Sequence, residues 1–343
     1  MKTMRVARHR PVFLTVLAVV CSAMAAASTL AGEVDSITTR RIALDDSVEA
    51  VNEIFNERLR EGVENANAKD IENTDASEFC DEERLYSELR KGVFHSFIPQ
   101  WGLRGYDLDL QLRELLSEHS YTLSLRDSVY RDIDYMEGFS LNLKKLSDVI
   151  NADGHLIGTD KIGHFFAEGW AYFERTRYEG ESIEDAMKWG RRQEAGTFGY
   201  TTTGIHSFAD LTANFNGWRF WNDILRTQDD PLKGLISNFF GDPYVECEVQ
   251  LISSLKHRKI VKAWRLNKRF DLSEFVDGAW DEGNNCNSYA DPTIEGKVDT
   301  RVSEIAPGLR CPVEPIECLN ARRKYGKFAK HLLHPRCLTI TKK

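Results

Sequence analysis

The sequence predicts a mainly α-helical protein with a helical bundle body, a small β-hairpin beside its candidate site and a disulfide-stapled C-terminal tail. Three observations predict this fold class. Apolar residues recur at helical spacing through much of residues 79–285. A short run after Glu194, rich in Gly, Tyr and Thr, favours β-structure instead. Four cysteines fall after Asn285, in a segment that also contains several prolines.

Residues 1–31 have the pattern of a signal peptide. A basic start carries Lys2, Arg5, Arg8 and Arg10, and a short apolar run at 12–20 is followed by small residues. This order of positive charge, apolar segment and small-residue cleavage site is typical of export signals. The apolar run is too short to predict a membrane-spanning helix. We therefore expect an exported protein, periplasmic or secreted, that does not span a membrane.

The net charge of the chain favours some classes of binding partner and disfavours others. Removing the four positive charges of the signal takes the formal net charge from −8 to −12, because residues 1–31 hold no acidic side chain. Binding to phosphate needs a basic surface, so we expect no nucleic acid as a partner. A negative protein attracts a cationic partner or substrate, whereas the alternative is that its acidic residues only solvate the surface.

Residues 32–78 are acidic and polar, with few aromatic residues. This composition is typical of a loosely attached arm, in which we expect one helix near 47–64. Residues 79–285 then form the predicted helical catalytic domain. Its helix from about 159 to 178 begins at Thr159 or Asp160 and is apolar nearly all round, which indicates the middle of a bundle.

Two further helices follow in this domain. One is predicted at about 182–194. The other, at about 207–225, begins with the spacing of a capping box at Ser207 and Asp210.

Residues 286–343 are predicted to wrap over the helical body as a Cys- and Pro-rich tail. Six cysteines remain once the signal is removed, and an even number in an exported chain predicts up to three disulfides. Cys311 and Cys318 are close enough in sequence to bridge. The sequence leaves the pairing open.

Glu194 is the strongest candidate for catalysis. Ile183, Ala186, Met187 and Gly190 share one helical face, and Glu194 projects about 20° from Ile183 on that same apolar face. It also ends the helix, where the helix dipole disfavours a negative charge. Burial and dipole would both raise its pKa, as a general acid requires. The alternative is a surface glutamate in a fraying last turn.

The order helix, Glu194, short β-hairpin, helix resembles the lysozyme superfamily over residues 188–214. The hairpin is predicted from the turn-forming glycines after Glu194 and from the β-favouring residues that follow them. The resemblance implies that Glu194 is the acid and that the hairpin contacts the sugar, through Tyr200, Thr201, Thr202 and Thr203. Asp210 is the nearest second carboxylate, with helix capping as the alternative. Asn214 falls on an apolar stripe, where its amide could bind Glu194, a sugar or a neighbouring backbone group.

A metal site is the second possibility. His164 and Glu168 are four residues apart, as are His206 and Asp210. If the helices approach, these four side chains could hold one divalent metal ion, as in helical-bundle metal sites. The alternative is a hydrogen-bonded core histidine at position 164.

A second resemblance rests on the pattern Asp-Lys-x-x-His, a later acidic residue and Ser-x-x-Asp-x-x-x-Asn-x-x-Gly. It is similar to small bacterial envelope proteins related to the glycopeptide-resistance family. The matching residues are Asp160, Lys161, His164, Glu194, Ser207, Asp210, Asn214 and Gly217. Both resemblances imply a setting in the bacterial cell envelope.

The expected function is an exported, lysozyme-like glycoside hydrolase that needs no cofactor and cleaves cell-wall amino sugar polymer. Glu194 would protonate the glycosidic oxygen, and a second carboxylate or a water would assist. The charge of −12 favours a polymer with free amines, such as deacetylated peptidoglycan. The alternatives are a metal-dependent envelope hydrolase and a non-catalytic envelope-binding protein. The oligomeric state stays open.

Overall fold

The computed structural model describes residues 32–72, 79–94, 106–143, 145–253 and 258–341, so the predicted signal peptide lies outside it. The mainly α-helical class is confirmed. The helices are α1 Val48–Glu72, α2 Glu82–Val93, α3 Tyr106–Leu115, α4 Phe139–Leu143, α5 at 159–177, α6 Ile183–Gln193, α7 Phe208–Asp223, α8 Leu235–Phe240, α9 Pro292–Ile305, α10 Pro315–Tyr325, α11 Ala329–Leu332 and α12 Pro335–Thr339. Short 3₁₀ turns lie at Thr38–Arg41, Leu125–Asp127, Leu272–Glu274 and Gly326–Phe328.

Short strands form three small antiparallel sheets. The strands are β1 Ser120–Tyr121, β2 Val149–Ala152, β3 His155–Gly158, β4 Ile205–His206, β5 Val245–Ser253, β6 Arg258–Leu266 and β7 Ser288–Tyr289. They pair in the orders β1-β2-β3, β4-β7 and β5-β6. Among the described residues, no helix combines the length and the apolar character that crossing a membrane would demand.

The centre of the molecule is the crossing of α5 and α7. Every residue of α7 is buried. The helix α5 is apolar nearly all round, so its neighbours are expected to lie in the core as well. The two helices meet at glycines, since a Cβ atom added to Gly217 would lie 1.7 Å from the carbonyl oxygen of Phe165. A Cβ atom on Gly169 would lie 2.6 Å from Gly217 Cα. This close approach brings the polar side chains of the two helices within reach of each other.

Two of the helices that carry candidate residues, α5 and α6, contain a π turn. In α5, Thr159–Gly163 passes into a π turn at His164–Glu168 and continues as Gly169–Arg177. The helix α6 ends in a second π turn, Glu194–Phe198. Such turns are rare and occur frequently at functional sites, because the extra residue redirects the side chains beside it.

The N-terminal region is part of the body, and the prediction of a loosely attached arm is wrong. The helix α1 packs against α2, and the ring of Phe55 stacks on Phe166 with centroids 4.0 Å apart. Val51, Phe55 and Leu59 are spaced four apart and are fully or almost fully buried. Because the other side of the helix carries many charged residues, the composition of the segment does not reveal this apolar stripe.

The β-hairpin predicted just after Glu194 is not formed there. Residues 199–203 are turns, in which the N–H groups of Thr202 and Thr203 both donate to the carbonyl oxygen of Gly199, at 3.0 and 2.9 Å. The helix extends through Phe198 and thereby overrides the β preference of the residues that follow. A β-hairpin does lie beside the candidate site, but it is formed by β2 and β3, which lead directly into α5.

Three disulfides use all six cysteines of the predicted mature chain. They are Cys80–Cys247, Cys286–Cys311 and Cys318–Cys337. The suggested bridge between Cys311 and Cys318 is therefore wrong, because α10 packs against α12 and pairs their cysteines instead. The tail contacts α7 directly, since the hydroxyl of Thr212 donates to the carbonyl oxygen of Leu332 at 3.1 Å.

Candidate functional site

A buried lysine lies at the centre of the site. The side chain of Lys161 is 0% exposed, and its Nζ lies 2.5 Å from Asp160 Oδ2, 2.5 Å from Asp210 Oδ1 and 2.7 Å from Glu282 Oε1. A buried ammonium group requires such partners. Burial alone would lower the pKa of Lys161, but the negative charges of Asp160 and Asp210 outweigh it and raise that pKa well above its ordinary value. Lys161 is therefore a fixed positive charge.

The start of α7 places Asp210 against this charge. Ser207 Oγ caps the helix by accepting from the N–H of Asp210 at 3.2 Å, and it donates to Glu282 Oε1 at 3.0 Å. The carboxylate of Asp210 does not complete the predicted capping box. It faces Lys161, while the N–H of Ser207 donates to Glu194 Oε1 at 3.4 Å. Glu194 thus takes the capping position that the sequence assigned to Asp210.

His164 is the second cationic candidate. Its Nε2 lies 3.1 Å from Asp210 Oδ2. Burial opposes its charged form, but the charge and hydrogen bond of Asp210 raise the pKa of His164 to about 10. Burial would raise the pKa of Asp210, but the positive charges of His164 and Lys161 outweigh burial and hold that pKa well below its usual range.

The amide of Asn214 contacts the other side of the imidazole ring of His164. With its amide nitrogen turned toward the ring, Asn214 donates to the carbonyl oxygen of Asp210 at 2.9 Å and reaches His164 Nδ1 at 3.1 Å. That orientation is the only one that satisfies the backbone carbonyls. Because the pKa of His164 is raised to about 10, the charged ring at neutral pH requires the opposite orientation, in which Asn214 Oδ1 accepts from the Nδ1–H group at 3.1 Å. Of the partners predicted for Asn214, namely Glu194, a sugar or a neighbouring backbone group, its contacts reach the backbone.

Glu194 is buried at the end of α6, with 5% of its surface exposed. Burial and the charge of Asp210 raise the pKa of Glu194 to about 8, against the opposing effects of His164 and the Ser207 N–H group. The helix dipole acts in the opposite sense from the sequence argument, because the carboxyl group lies at the start of α7, where negative charge is favoured. Burial and Asp210 are therefore what keep Glu194 protonated near neutral pH.

Two more carboxyl groups complete the cluster, and sequence reasoning missed both. Glu282 Oε2 accepts from Asn287 Nδ2 at 2.6 Å and from the hydroxyl of Tyr130 at 3.3 Å. Glu33 accepts from Thr203 Oγ1 at 2.7 Å, and burial, followed by the charges of Glu282 and Asp210, raises the pKa of Glu33 well above its ordinary value. The polar run at 281–287 is typical of a surface loop, so nothing local marks Glu282 as buried.

The turn residues predicted to contact the sugar lie at the margin of this cluster, which Thr203 reaches through Glu33. Tyr200 is half-buried with its ring 5.4 Å from that of His206, and Thr201 is exposed. Thr202 is half-buried and bonds within its own turn, through Oγ1 to the carbonyl oxygen of Gly199 at 3.4 Å. Thr203 is buried, and its hydroxyl donates to Glu33 instead of facing solvent.

The metal-binding set differs from the predicted one. In the described part of the chain, one group of three ligand types has its ligand atoms within 4.8 Å of one another, namely Asp160, His164 and Asp210. Asp160 thus replaces Glu168 and His206. The Nδ1 atom of His206 is buried with no hydrogen-bond partner in the described structure, and burial lowers the pKa of His206 to about 4.

A cavity of about 460 Å³ lies on the far side of Glu282. Tyr130, Asn287, Val298 and Val302 are among its lining residues, whereas Glu194 and Asp210 are not. A molecule in this cavity could reach Glu282. The side chain of His164, at 20% exposure, is instead the most open member of the ion-paired cluster.

The arrangement can hold one carboxyl group protonated beside one that stays ionised, which is the chemistry of acid-assisted bond cleavage. It also brings together seven of the eight residues of the Asp-Lys-x-x-His pattern, with the eighth, Gly217, at the helix crossing. No protein-family model, no curated protein and no solved structure matches this chain.

Proposed function

We propose that this protein is an exported, lysozyme-like glycoside hydrolase acting on cell-wall amino sugar polymer. The observation that carries the proposal is the pairing of Glu194 with Asp210. One buried environment raises the pKa of Glu194 to about 8 and holds that of Asp210 well below its usual range. Two carboxyl groups whose environments drive their pKa values apart are what glycoside cleavage uses.

Each side chain has a role in the proposed reaction. Glu194 donates its proton to the glycosidic oxygen as the bond breaks. Asp210 stays ionised and stabilises the oxocarbenium-like transition state, and a water molecule then adds to the anomeric carbon and returns a proton to Glu194. Lys161 and His164 keep Asp210 ionised, and they do so from fixed positions, which avoids reorganisation during the reaction.

Substrate access requires movement, because Glu194 is only 5% exposed. The turns at 199–203 follow directly on the π turn that carries Glu194, so they are the segment whose opening would expose its carboxyl group. Such loop motions commonly gate enzyme sites. Thr201, the exposed residue of these turns, and the half-buried Tyr200 would then border the sugar.

The test is the loss of turbidity of purified cell-wall sacculi, measured for the wild type and for Glu194→Gln. Loss of a required general acid lowers the rate by about 10²–10⁴. The matched control is Glu184→Gln, at the start of the same helix, where the carboxylate pairs with Lys327 at 3.1 Å on the surface. Full activity of Glu194→Gln would remove Glu194 from the mechanism. Binding of sacculi without cleavage by the wild type would instead indicate an envelope-binding protein.

A metal-dependent hydrolase is a second candidate, favoured by one observation. Asp160 Oδ1 is buried with no hydrogen-bond partner in the described structure, and Asp160 belongs to the three-residue ligand set with His164 and Asp210. Carboxylate oxygen and imidazole nitrogen suit zinc. Lys161 competes with this ion, because its Nζ already contacts Asp160 and Asp210.

Elemental analysis and a chelator separate the two candidates. A metal-dependent enzyme would retain roughly one ion per chain. It would lose that ion in Asp160→Asn and lose activity in EDTA. Activity that survives EDTA, in protein without stoichiometric metal, would contradict the metal candidate and leave the acid mechanism in place.

A further inference from the structure

The helix α8 presents its apolar side to solvent. Leu235 is 86% exposed, Ile236 76%, Phe239 81% and Phe240 75%. These four large side chains lie within one helix of six residues, Leu235–Phe240. Single exposed apolar residues are common, but a contiguous group on one element marks an interaction surface.

Hydrogen bonds hold the helix in this orientation. Asn238 turns inward, where its Nδ2 donates to the carbonyl oxygens of Asp230 at 3.0 Å and Lys233 at 3.3 Å, and its Oδ1 accepts from the N–H of Asp230 at 3.0 Å. Arg226 Nη2 donates to the carbonyl oxygen of Ser237 at 3.2 Å. Asn238 therefore ties α8 to the segment before it, and Asp230 of that segment is paired with Arg219 of α7 at 2.8 Å, while the apolar groups of α8 are exposed.

The size and shape of the group indicate its partner. Four large side chains supply roughly 600 Å² if each buries about 150 Å². A stable dimer needs about 800 Å² per partner together with a complementary surface. Side chains that are three-quarters or more exposed project from the body, and the rings of Phe239 and Phe240 pack against each other with centroids 4.9 Å apart. A lipid bilayer requires no such complementarity.

We propose that α8 inserts these four side chains into the interfacial region of a lipid bilayer. The nearby charges indicate which bilayer. Asp229 and Asp242 are exposed on either side of the helix, and Lys233 is paired with Asp223 at 3.2 Å. Insertion is thus driven by apolar burial, without attraction to anionic headgroups. This membrane contact is independent of the hydrolase proposal.

The test is sedimentation of the full exported chain with phosphatidylcholine vesicles. The wild type is expected to pellet with the vesicles equally at low and high salt. The double variant Phe239→Ser, Phe240→Ser should lower the partition coefficient at least tenfold. Met136→Ser is the matched control, because Met136 is 91% exposed but stands outside α8, and it should partition like the wild type.

Three results would overturn the proposal. The first is a wild-type protein that stays in the supernatant at millimolar phosphatidylcholine. The second is binding that appears only with anionic vesicles and disappears in high salt, since that behaviour is electrostatic. The third is a dimer by analytical ultracentrifugation that the Phe239→Ser, Phe240→Ser variant abolishes, because α8 would then bind a second copy of the chain.

Discussion

Replacing Glu194 by glutamine should make the protein more stable at alkaline pH than the wild type. In the folded protein, burial and Asp210 raise the pKa of Glu194 from 4.5 to about 8. In the unfolded chain the same group ionises near its ordinary value. Between these two values the folded state retains a proton that the unfolded state has released, so wild-type stability falls as pH rises.

The size of the effect follows from the pKa shift. Each pH unit within the window costs about 1.4 kcal/mol. A window that ends near pH 8 therefore implies roughly 5 kcal/mol in total. Glutamine does not titrate, and its side-chain oxygen can still accept from the N–H of Ser207. The stability of the variant relative to the wild type should thus increase from pH 5 to pH 8 and remain constant above it.

Urea unfolding at one-unit intervals from pH 5 to pH 9, with the disulfides intact, measures this difference. Glu184→Gln is again the control, because its salt bridge to Lys327 lowers the pKa of Glu184 despite partial burial. Its stability difference from the wild type should not change over this range. A difference for Glu194→Gln that is equally flat would refute the claim that Glu194 is protonated near neutral pH.

Three further predictions test the cluster, the disulfides and the substrate. Lys161→Met should lower the free energy of unfolding at pH 7 by about 3–5 kcal/mol, because it leaves buried carboxylates without their cation, whereas Lys91→Met at a half-exposed site should cost less than about 1 kcal/mol in the same urea titration. Denatured, non-reduced mature protein should show no free thiol with Ellman's reagent, and two or more reactive thiols would contradict the three disulfides. Deacetylated sacculi should be cleaved faster than acetylated sacculi at low salt, with the preference shrinking as salt rises; equal initial rates at low salt would leave the net charge of the chain without a role in substrate choice.

The sequence could predict those site residues whose position depends on one helix alone. Glu194 lies on the apolar face of α6, and the spacing from Ile183 is enough to show it. Ser207 caps α7 as its pattern predicts. The pattern Asp-Lys-x-x-His marked Lys161, and the structure gives the reason, which is the three ion pairs of its buried ammonium group.

The rest depends on contacts between distant segments, which periodicity does not contain. Glu282 meets Lys161 across 121 positions of the chain, and Glu33 meets Thr203 across 170. The β-hairpin predicted just after Glu194 is not formed for a related reason. Tyr200 and the threonines favour strands as residues, but a strand needs a partner. In the described structure the strand that follows them, β4, pairs with β7 at Ser288–Tyr289, a distant segment of the chain.

The composition of the cluster itself argues for acid chemistry. Its members are five carboxyl groups and two bases, namely Glu33, Asp160, Glu194, Asp210, Glu282, Lys161 and His164. An isolated charge costs several kcal/mol to bury, so the carboxyl groups in excess of the cations must hold protons. Geometry decides which ones: Asp210 contacts both bases and stays ionised, whereas Glu194 accepts from a backbone N–H group and has no ion pair among the described residues. A cluster kept only for stability would gain by replacing such a group with an apolar residue. We therefore propose Glu194 as a stored proton beside a fixed negative charge, with the turns at 199–203 as the segment whose opening would uncover it.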